Sequence, residues 1–448
     1  MKEHRIDIIG AGISGLTTAY YLARALQQDS AGNGLRVTIH VWEKDATPGG
    51  LAGTFSTAHF TVEKFYHHIF LRDLALQELL AELGLASEVV WQPADTGAYY
   101  ARTPYRLASP FDVLKFRPLP FLDRLRLGWL AIHARTVKDW RRLDDISAKE
   151  YIHKIAGKNV YRVVWEPLFR GKFGPYADSI SAAWLWSKLV DRGSSRNRQG
   201  HEMLGYLRGG MGRAFTTMLA YLQQTGHQIH LGQAVSHLTG NAQGISTIHT
   251  TAGNFPTDTV VGCTQLPELA AILPESVAEY RHALQKVQFL ANVCLVLTLK
   301  RSLSKFYWTN VTDPEAPFVG IIEQTNWADQ HDFDHKHVVY ISAYLPSNDQ
   351  RLQMSADELM AFYLPAIQKL FPTFTRDAIE ALALWHAPYA QPIVHVGYRH
   401  AIPATISPLP NFFVCTMAQI YPHDRQMSNG VALAKKTADI IAARIKVP

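Results

Sequence analysis

Cysteine is scarce: Cys263, Cys294 and Cys415 are the only three in 448 residues. So few and so scattered, they exclude a disulfide framework and a zinc cluster, and no metal site is expected. A reducing compartment follows as the simpler reading, so the expected location is cytoplasmic. No window of about 18 residues is apolar and free of charge, so no membrane-spanning helix is expected. No signal peptide is visible, because the first apolar run, residues 6–9, leads straight into a glycine motif and reads as a strand. One-sided charge is also weak. Lys and Arg number 44 against 38 Asp and Glu, a net charge of +6. That excess suits an anionic ligand or a membrane surface better than nucleic acid. Internal repeats and low-complexity segments are absent. With 47% apolar and 18% charged residues, a disordered chain, a coiled coil and a fibre are all excluded. At about 100–200 residues per domain, the length predicts two or three folding units.

What is present is concentrated in the first fifty residues. Residues 6–10 read IDIIG, a short buried strand. GAGISG follows at residues 10–15 and fits G-x-G-x-x-G. Leu16, Ala19, Tyr20, Ala23 and Leu26 then recur at helical spacing, and residues 35–42 alternate as a second strand that ends at Glu43. Each part of this βαβ unit has a physical task. Gly10 allows the tight turn, Gly12 lets the backbone approach a pyrophosphate, and Gly15 lets the helix pack closely. The unpaired N–H groups at the helix start, at Ile13 and Ser14, face the phosphates. Glu43 accepts hydrogen bonds from a ribose, and its charge disfavours a 2′-phosphate. A second glycine cluster, PGGLAGT at residues 48–54, brings the chain close to the rest of a long cofactor. Composition alone does not choose between NAD and FAD.

The run at residues 43–54, EKDATPGGLAGT, resembles the second FAD motif of a large flavoprotein group. That group contains amine oxidases, protoporphyrinogen oxidases, phytoene desaturases and UDP-galactopyranose mutases. The resemblance implies FAD as cofactor, held by Glu43, Lys44, Gly50, Leu51 and Ala52 among others. YLRGGMG at residues 206–212 looks like the group's central GG motif. Val235 sits where the group's backbone meets the adenine. Residues 411–445 look like the closing FAD strand and helix, with Asp424, Met427, Ser428 and Asn429 near the cofactor. Two departures stand out. Leu51 replaces the arginine of many relatives, and the closing motif begins Cys415, Thr416, Met417 in place of a glycine followed by an acid or arginine.

The fold class expected is α/β. A discontinuous Rossmann-like FAD-binding domain would be built from residues 1–72, 205–282 and 404–448. An α+β substrate domain would take residues 73–204 and 283–403. Its first piece is helical, with helical spacing over 74–83, 121–142 and 148–155. Its second piece forms a mixed or antiparallel sheet, with strands over 292–299, 318–323 and 337–344 and a helix over 357–371.

Candidate chemistry lies in four places. His67 and His68 follow the glycine cluster, and His68 with the next two residues resembles the HIF of the mutases; a histidine there donates to a flavin carbonyl or moves a substrate proton. In the strand over 291–300, Asn292 or Val293 takes the place of the lysine that amine oxidases hold toward the flavin, with Lys300 at the strand's end. Tyr421 resembles a mutase tyrosine near a sugar-diphosphate site, whereas Trp385 reads as core. Residues 105–142 interleave nine cations and three acids with large apolar residues such as Phe111, Leu114, Phe116, Leu119, Phe121, Leu122, Leu125, Leu127, Trp129 and Leu130. This basic amphipathic stretch either lies on an anionic bilayer or packs its apolar side on its own domain. Arg192, Arg196 and Arg198 form a basic loop suited to a diphosphate or to solvent.

The leading expectation is an FAD-dependent oxidoreductase that removes a hydride from an apolar or anionic small molecule, lipid-borne or phosphorylated. The alternatives are a UDP-galactopyranose mutase-like isomerase without net redox, and a non-catalytic dinucleotide-binding protein. No nucleic-acid partner is expected, a peripheral membrane contact stands as one of the two readings of the basic stretch, and nothing in the sequence fixes the oligomeric state.

Overall fold

The computed structural model describes residues 2–27, 35–100, 103–106, 110–197, 201–241, 243–313 and 315–446. Strand β1 (Lys2–Ile9), helix α1 (Ile13–Gln27) and strand β2 (Leu35–Trp42) form the βαβ unit. The two strands run parallel, from Lys2 opposite Leu35 to Ile9 opposite Trp42. Ile6, Ile8, Ile39 and Val41 are fully buried, because helices cover both faces of a parallel sheet. Helix α1 buries every residue from 13 to 23 against the helices Gly212–Gln224 and Met427–Lys446. The parallel sheet has the spatial order Gln228–His230, β2, β1, Thr259–Gly262, Phe412–Val414. The chain therefore leaves this sheet and returns to it three times. Helix Leu74–Glu82 also joins this core through Leu76, Leu79 and Leu80, although the sequence places the end of the first segment at residue 72.

A second sheet runs in the order Ile379–Pro392, Phe289–Leu299, His337–Leu345, Gly320–Glu323, Trp308–Val311, Thr96–Tyr100, Thr103–Arg106. It is antiparallel except where Trp308–Val311 lies parallel to Thr96–Tyr100. The alternation along Phe289–Leu299 decides what each residue faces. Val293, Leu295 and Leu297 pack on the helix Ala356–Leu370 through Leu359, Tyr363 and Ile367. Asn292, Cys294 and Val296 take the opposite face, and a slip of one residue would exchange the two sets.

The helical part includes Phe121–Thr136, Ala148–Ile155, Glu166–Phe173 and Ala182–Ser194. Ala148–Ile155 starts at a capping box: the Ser147 hydroxyl accepts from the Glu150 N–H at 3.1 Å, and the Glu150 carboxylate accepts from the Ser147 N–H at 3.0 Å. The helix expected over 121–142 stops at Thr136 and resumes as the short turn Arg141–Asp144. The Asp139 side chain takes the Arg141 N–H at 3.1 Å, a local bond that competes with helix continuation.

Candidate functional site

The turn between β1 and α1 is shaped by contacts that a Cβ would destroy. Gly10 has φ 104° and donates its N–H to the Trp42 carbonyl at 2.7 Å. A Cβ on Gly15 would stand 1.9 Å from the Gly10 carbonyl oxygen, so the helix packs directly on the turn. A Cβ on Gly12 would meet nothing nearer than the Gly49 oxygen at 4.0 Å. The space beside Gly12 is instead the wall of a cavity of about 1810 Å³. Ordinary small-molecule pockets hold about 300–1,000 Å³, so this one has room for a dinucleotide and a substrate together.

The second glycine cluster is clamped to the first, with the Gly49 N–H donating to the Ala11 carbonyl at 2.9 Å. The Glu43 carboxylate accepts from the N–H groups of Ala11 at 2.8 Å and Asp45 at 3.0 Å. Burial raises its carboxyl above the ordinary range, and these two N–H groups oppose that rise. Gln233 is held beside it by its own N–H to the Glu43 carbonyl at 2.8 Å. The side-chain oxygens of Gln233 and Thr264 are buried in the cavity wall without a partner. Orphan acceptors and an open glycine at a helix N-terminus are what a ribose, an adenine and a pyrophosphate require.

The far end of the cavity is built on the seven-stranded sheet. Asn292 donates its side-chain amide to the Ser342 hydroxyl at 2.9 Å, and its carbonyl oxygen is buried without a partner. The indole N–H of Trp385 is also unpartnered, and the Lys64 ammonium sits 4.7 Å from the Trp385 ring centre. Arg425 is fixed by donating to Tyr344 Oη and the Ala390 carbonyl, both at 2.6 Å, and to Gln391 Oε1 at 3.0 Å. Asp424 pairs with Lys172 at 2.8 Å and Lys188 at 2.7 Å. Burial opposes its ionisation, but the two ammonium groups outweigh burial and hold the carboxyl well below the usual carboxylate range.

Both histidines line this end. His67 places Nδ1 at 2.6 Å from the Phe65 carbonyl oxygen. A carbonyl only accepts, so Nδ1 carries the proton and Nε2 is left as the acceptor. Burial pushes the imidazole down to about 4, so the ring is neutral at neutral pH. His68 Nδ1 lies 3.1 Å from Tyr307 Oη, and its ring stands edge-on to Phe70. Asp73 accepts from the Phe70 N–H at 2.8 Å, and burial, aided by the Asp191 charge, pushes its carboxyl up to about 6.

The structure brings most of the sequence-derived candidates to this one cavity. Gly10, Gly12, Ile13, Ser14, Glu43 and Lys44 line it beside the β1–α1 turn. Gly50, Leu51, Ala52, Val235, Asp424 and Met427 continue the wall. Four candidates stand elsewhere. Gly15 packs on the turn. The Ser428 hydroxyl accepts from the Leu76 N–H at 3.3 Å, and Asn429 donates to Gln426 Oε1 at 2.9 Å. Tyr421 does not line the cavity: its hydroxyl is bound to Asp144 and, at 2.7 Å, to Ser181 inside the helical core. That network with Arg399 explains the tyrosine without a ligand. Of the lysine position, Asn292 faces the cavity and Val293 the opposite core; Lys300 is exposed at the strand's end. Trp385, which the sequence assigns to the core, borders the cavity, and so does Cys263. Arg196 lines the cavity too, whereas Arg198 and the side chain of Arg192 lie outside the described residues. Sequence reasoning missed Lys64, Lys172 and Lys188. Lys64, directly before Phe65, was within reach of the same motif; Lys172 and Lys188 meet Asp424 only through tertiary packing.

A Rossmann-type cradle opening on a deep cavity in a second domain defines a dinucleotide-dependent enzyme class. The sequence profile of the flavin containing amine oxidoreductases matches residues 13–439. The chain belongs to that family; it is an FAD-dependent oxidoreductase, and its cofactor is FAD. A stretch of 187 residues is 25% identical to the coproporphyrinogen III oxidase of Staphylococcus aureus (strain NCTC 8325 / PS 47), covering 39% of this chain and 38% of that protein. The match thus spans under half of that relative. A crystal structure from Exiguobacterium sp. 255-15, provisionally named a protoporphyrinogen oxidase, superposes with a TM-score of 0.77 over 98% of this chain and 99% of that one, at 17% identity. A reduced UDP-galactopyranose mutase superposes with a TM-score of 0.72 over 99% and 98%, at 14% identity. These two likenesses concern the fold.

Proposed function

We propose that the protein removes a hydride from an apolar small molecule that carries an anionic or polar handle. The observation that carries this reading is the make-up of the far end of the cavity. Leu127, Ala131, Leu168, Leu185 and Leu189 add apolar surface to the cavity wall, and Lys64, Lys172 and Lys188 add cations to the same wall. FAD, when bound, supplies the hydride acceptor and passes the electrons to O₂ or another oxidant.

The chain's own residues do the rest. Gly12, Ile13 and Ser14 hold the pyrophosphate, Glu43 and Lys44 the ribose, and the backbone at Val235 the adenine. Residues 50–52, Asp424 and Met427 position the remainder of the cofactor. The Asn292 oxygen and the Trp385 N–H orient a substrate polar group. His67 Nε2, neutral and unprotonated, takes the substrate proton released with the hydride. The apolar wall excludes water. The side-chain amide at Asn292, in place of a lysine, separates this site from simple amine oxidation.

The isomerase reading relied on His68 and Tyr421; the Asp144–Ser181 network around Tyr421 removes the second of these supports. Anaerobic mixing of the oxidised enzyme with candidate substrates tests the proposal. Bleaching of the flavin by an apolar substrate with an anionic handle, such as a reduced tetrapyrrole, is the expected result. Turnover of a nucleotide sugar only after chemical reduction of the enzyme, with no net flavin change, would overturn it.

A further inference from the structure

Two buried polar atoms with no part in the steps above border one small space. The indole Nε1–H of Trp184 and the Oδ1 atom of Asp424 are both buried without a hydrogen-bond partner. Trp184 and Asp424 line a cavity of about 10 Å³, together with Pro392, Val394, Tyr398 and Ala418. Both residues also line the main cavity, so they form part of the partition between the two spaces. A space of about 10–15 Å³ admits one water, which stays where two or more polar groups meet it. A donor and an acceptor meet that requirement here: the water accepts from the indole and donates to the carboxylate.

The other oxygen of the same carboxylate carries two lysines. Asp424 Oδ2 accepts from Lys172 at 2.8 Å and from Lys188 at 2.7 Å. Both ammonium nitrogens also stand over the Trp184 ring, at 4.8 and 5.8 Å from its centre. The tryptophan therefore acts on the lysines through its face and, across the water, through Asp424. Lys172 lies on the helix Glu166–Phe173 and Lys188 on the helix Ala182–Ser194. Their shared partner, not their place in the chain, sets them side by side. Both line the main cavity, with side chains 17% and 31% exposed. An ammonium group has three N–H donors, more than one Asp424 oxygen takes up. Two such groups on one wall suit a carboxylate, whose hydrogen bonds to a cation are the strong kind.

We infer that one buried water joins Trp184 to Asp424, and that Trp184 is thereby a positioning residue of the substrate site: it fixes the carboxylate that holds Lys172 and Lys188 together, and the two lysines receive a carboxylate borne by the apolar substrate. Without the bridge, Asp424 Oδ1 stays buried and unpaired, a costly state that the side chain relieves by turning. The two ammonium groups then lose their common anchor. The water half of this inference rests on the fold alone. The carboxylate half rests on the oxidoreductase reading above and gives its anionic handle a chemical identity.

A crystal structure of the holoenzyme that resolves ordered waters tests the first half. Density is expected within hydrogen-bond distance of both Trp184 Nε1 and Asp424 Oδ1, and a dry cavity would overturn the bridge. Octanoate and octanamide, titrated against the oxidised flavin band, test the second half. Octanoate is expected to bind about tenfold or more tightly than octanamide. Trp184→Phe keeps a ring face under the ammonium groups and removes only the N–H. It should lose most of the octanoate preference while keeping its flavin, its circular dichroism and its octanamide affinity. Lys188→Gln, which leaves Lys172 on Asp424, should lose the preference too. Equal binding of the two probes by the parent, no saturable change with octanoate, or a Trp184→Phe variant with the parent's preference would overturn the positioning role. Yellow protein indifferent to octanoate fails this inference alone. Colourless protein fails the oxidoreductase reading, and its crystal still decides the water.

Discussion

Asn292, a residue of the cavity wall, gives its side-chain amide to the Ser342 hydroxyl at 2.9 Å and leaves its carbonyl oxygen buried without a partner. An orphan acceptor of this kind costs about 1–3 kcal/mol when nothing binds it. Asn292→Leu therefore unfolds at a temperature equal to or above that of the parent. The same change lowers kcat/KM roughly tenfold or more, because the substrate's donor loses its partner. A stable variant with unchanged kcat/KM would remove Asn292 from the site.

The two glycines of the cradle fail in different ways. Gly15→Ala drives a methyl group into the Gly10 carbonyl and should give little soluble protein. Gly12→Ala has room in the empty fold, so it should fold, with normal circular dichroism, and retain little flavin. Normal flavin content in the Gly12 variant would contradict the pyrophosphate assignment.

Asp73 sets a pH dependence. Its carboxyl is pushed from the usual 3.8 up to about 6 by burial and by Asp191. The folded chain then holds this proton where the unfolded chain has lost it. Stability from this group is present below about pH 4 and is lost as pH rises through 6, by roughly 2–3 kcal/mol. Asp73→Asn retains an acceptor for the Phe70 N–H and removes the dependence. Its melting temperature should exceed the parent's at pH 8 and match it near pH 4. A difference independent of pH would refute the shift.

Tyr421 separates a structural role from a ligand role. Its hydroxyl is bound to the buried Asp144 carboxylate and to Ser181. Tyr421→Phe leaves that carboxylate one donor short and should cost about 1.5–3 kcal/mol of stability. Thermal melting should fall, while the flavin spectrum and KM stay unchanged. An altered KM with an unaltered melting temperature would return Tyr421 to the substrate site.

Much of the βαβ cradle was legible in the sequence, because local rules govern it. GAGISG, the two flanking strands and Glu43 need only a turn, a helix N-terminus and a parallel pair. The alternation around Asn292 was legible as a strand, but not which residue of the Asn292 and Val293 pair faces the cavity, since that depends on which face meets the helix Ala356–Leu370. Tyr421 was misleading for a similar reason: its partners Asp144 and Ser181 lie far away in the chain and meet it only in the fold. Lys172 and Lys188 became visible as one group only once both contacted Asp424. Phe121–Thr136 was visible as a helical pattern, but burial alone distinguishes its covered apolar residues from the exposed ones.

Cofactor content is the most direct test of the account. The purified chain should be yellow, release stoichiometric FAD on denaturation, and lose its colour without chemical reductant when it meets its substrate under anaerobic conditions. A colourless chain that takes up no FAD on incubation, with an intact fold by circular dichroism, would contradict it.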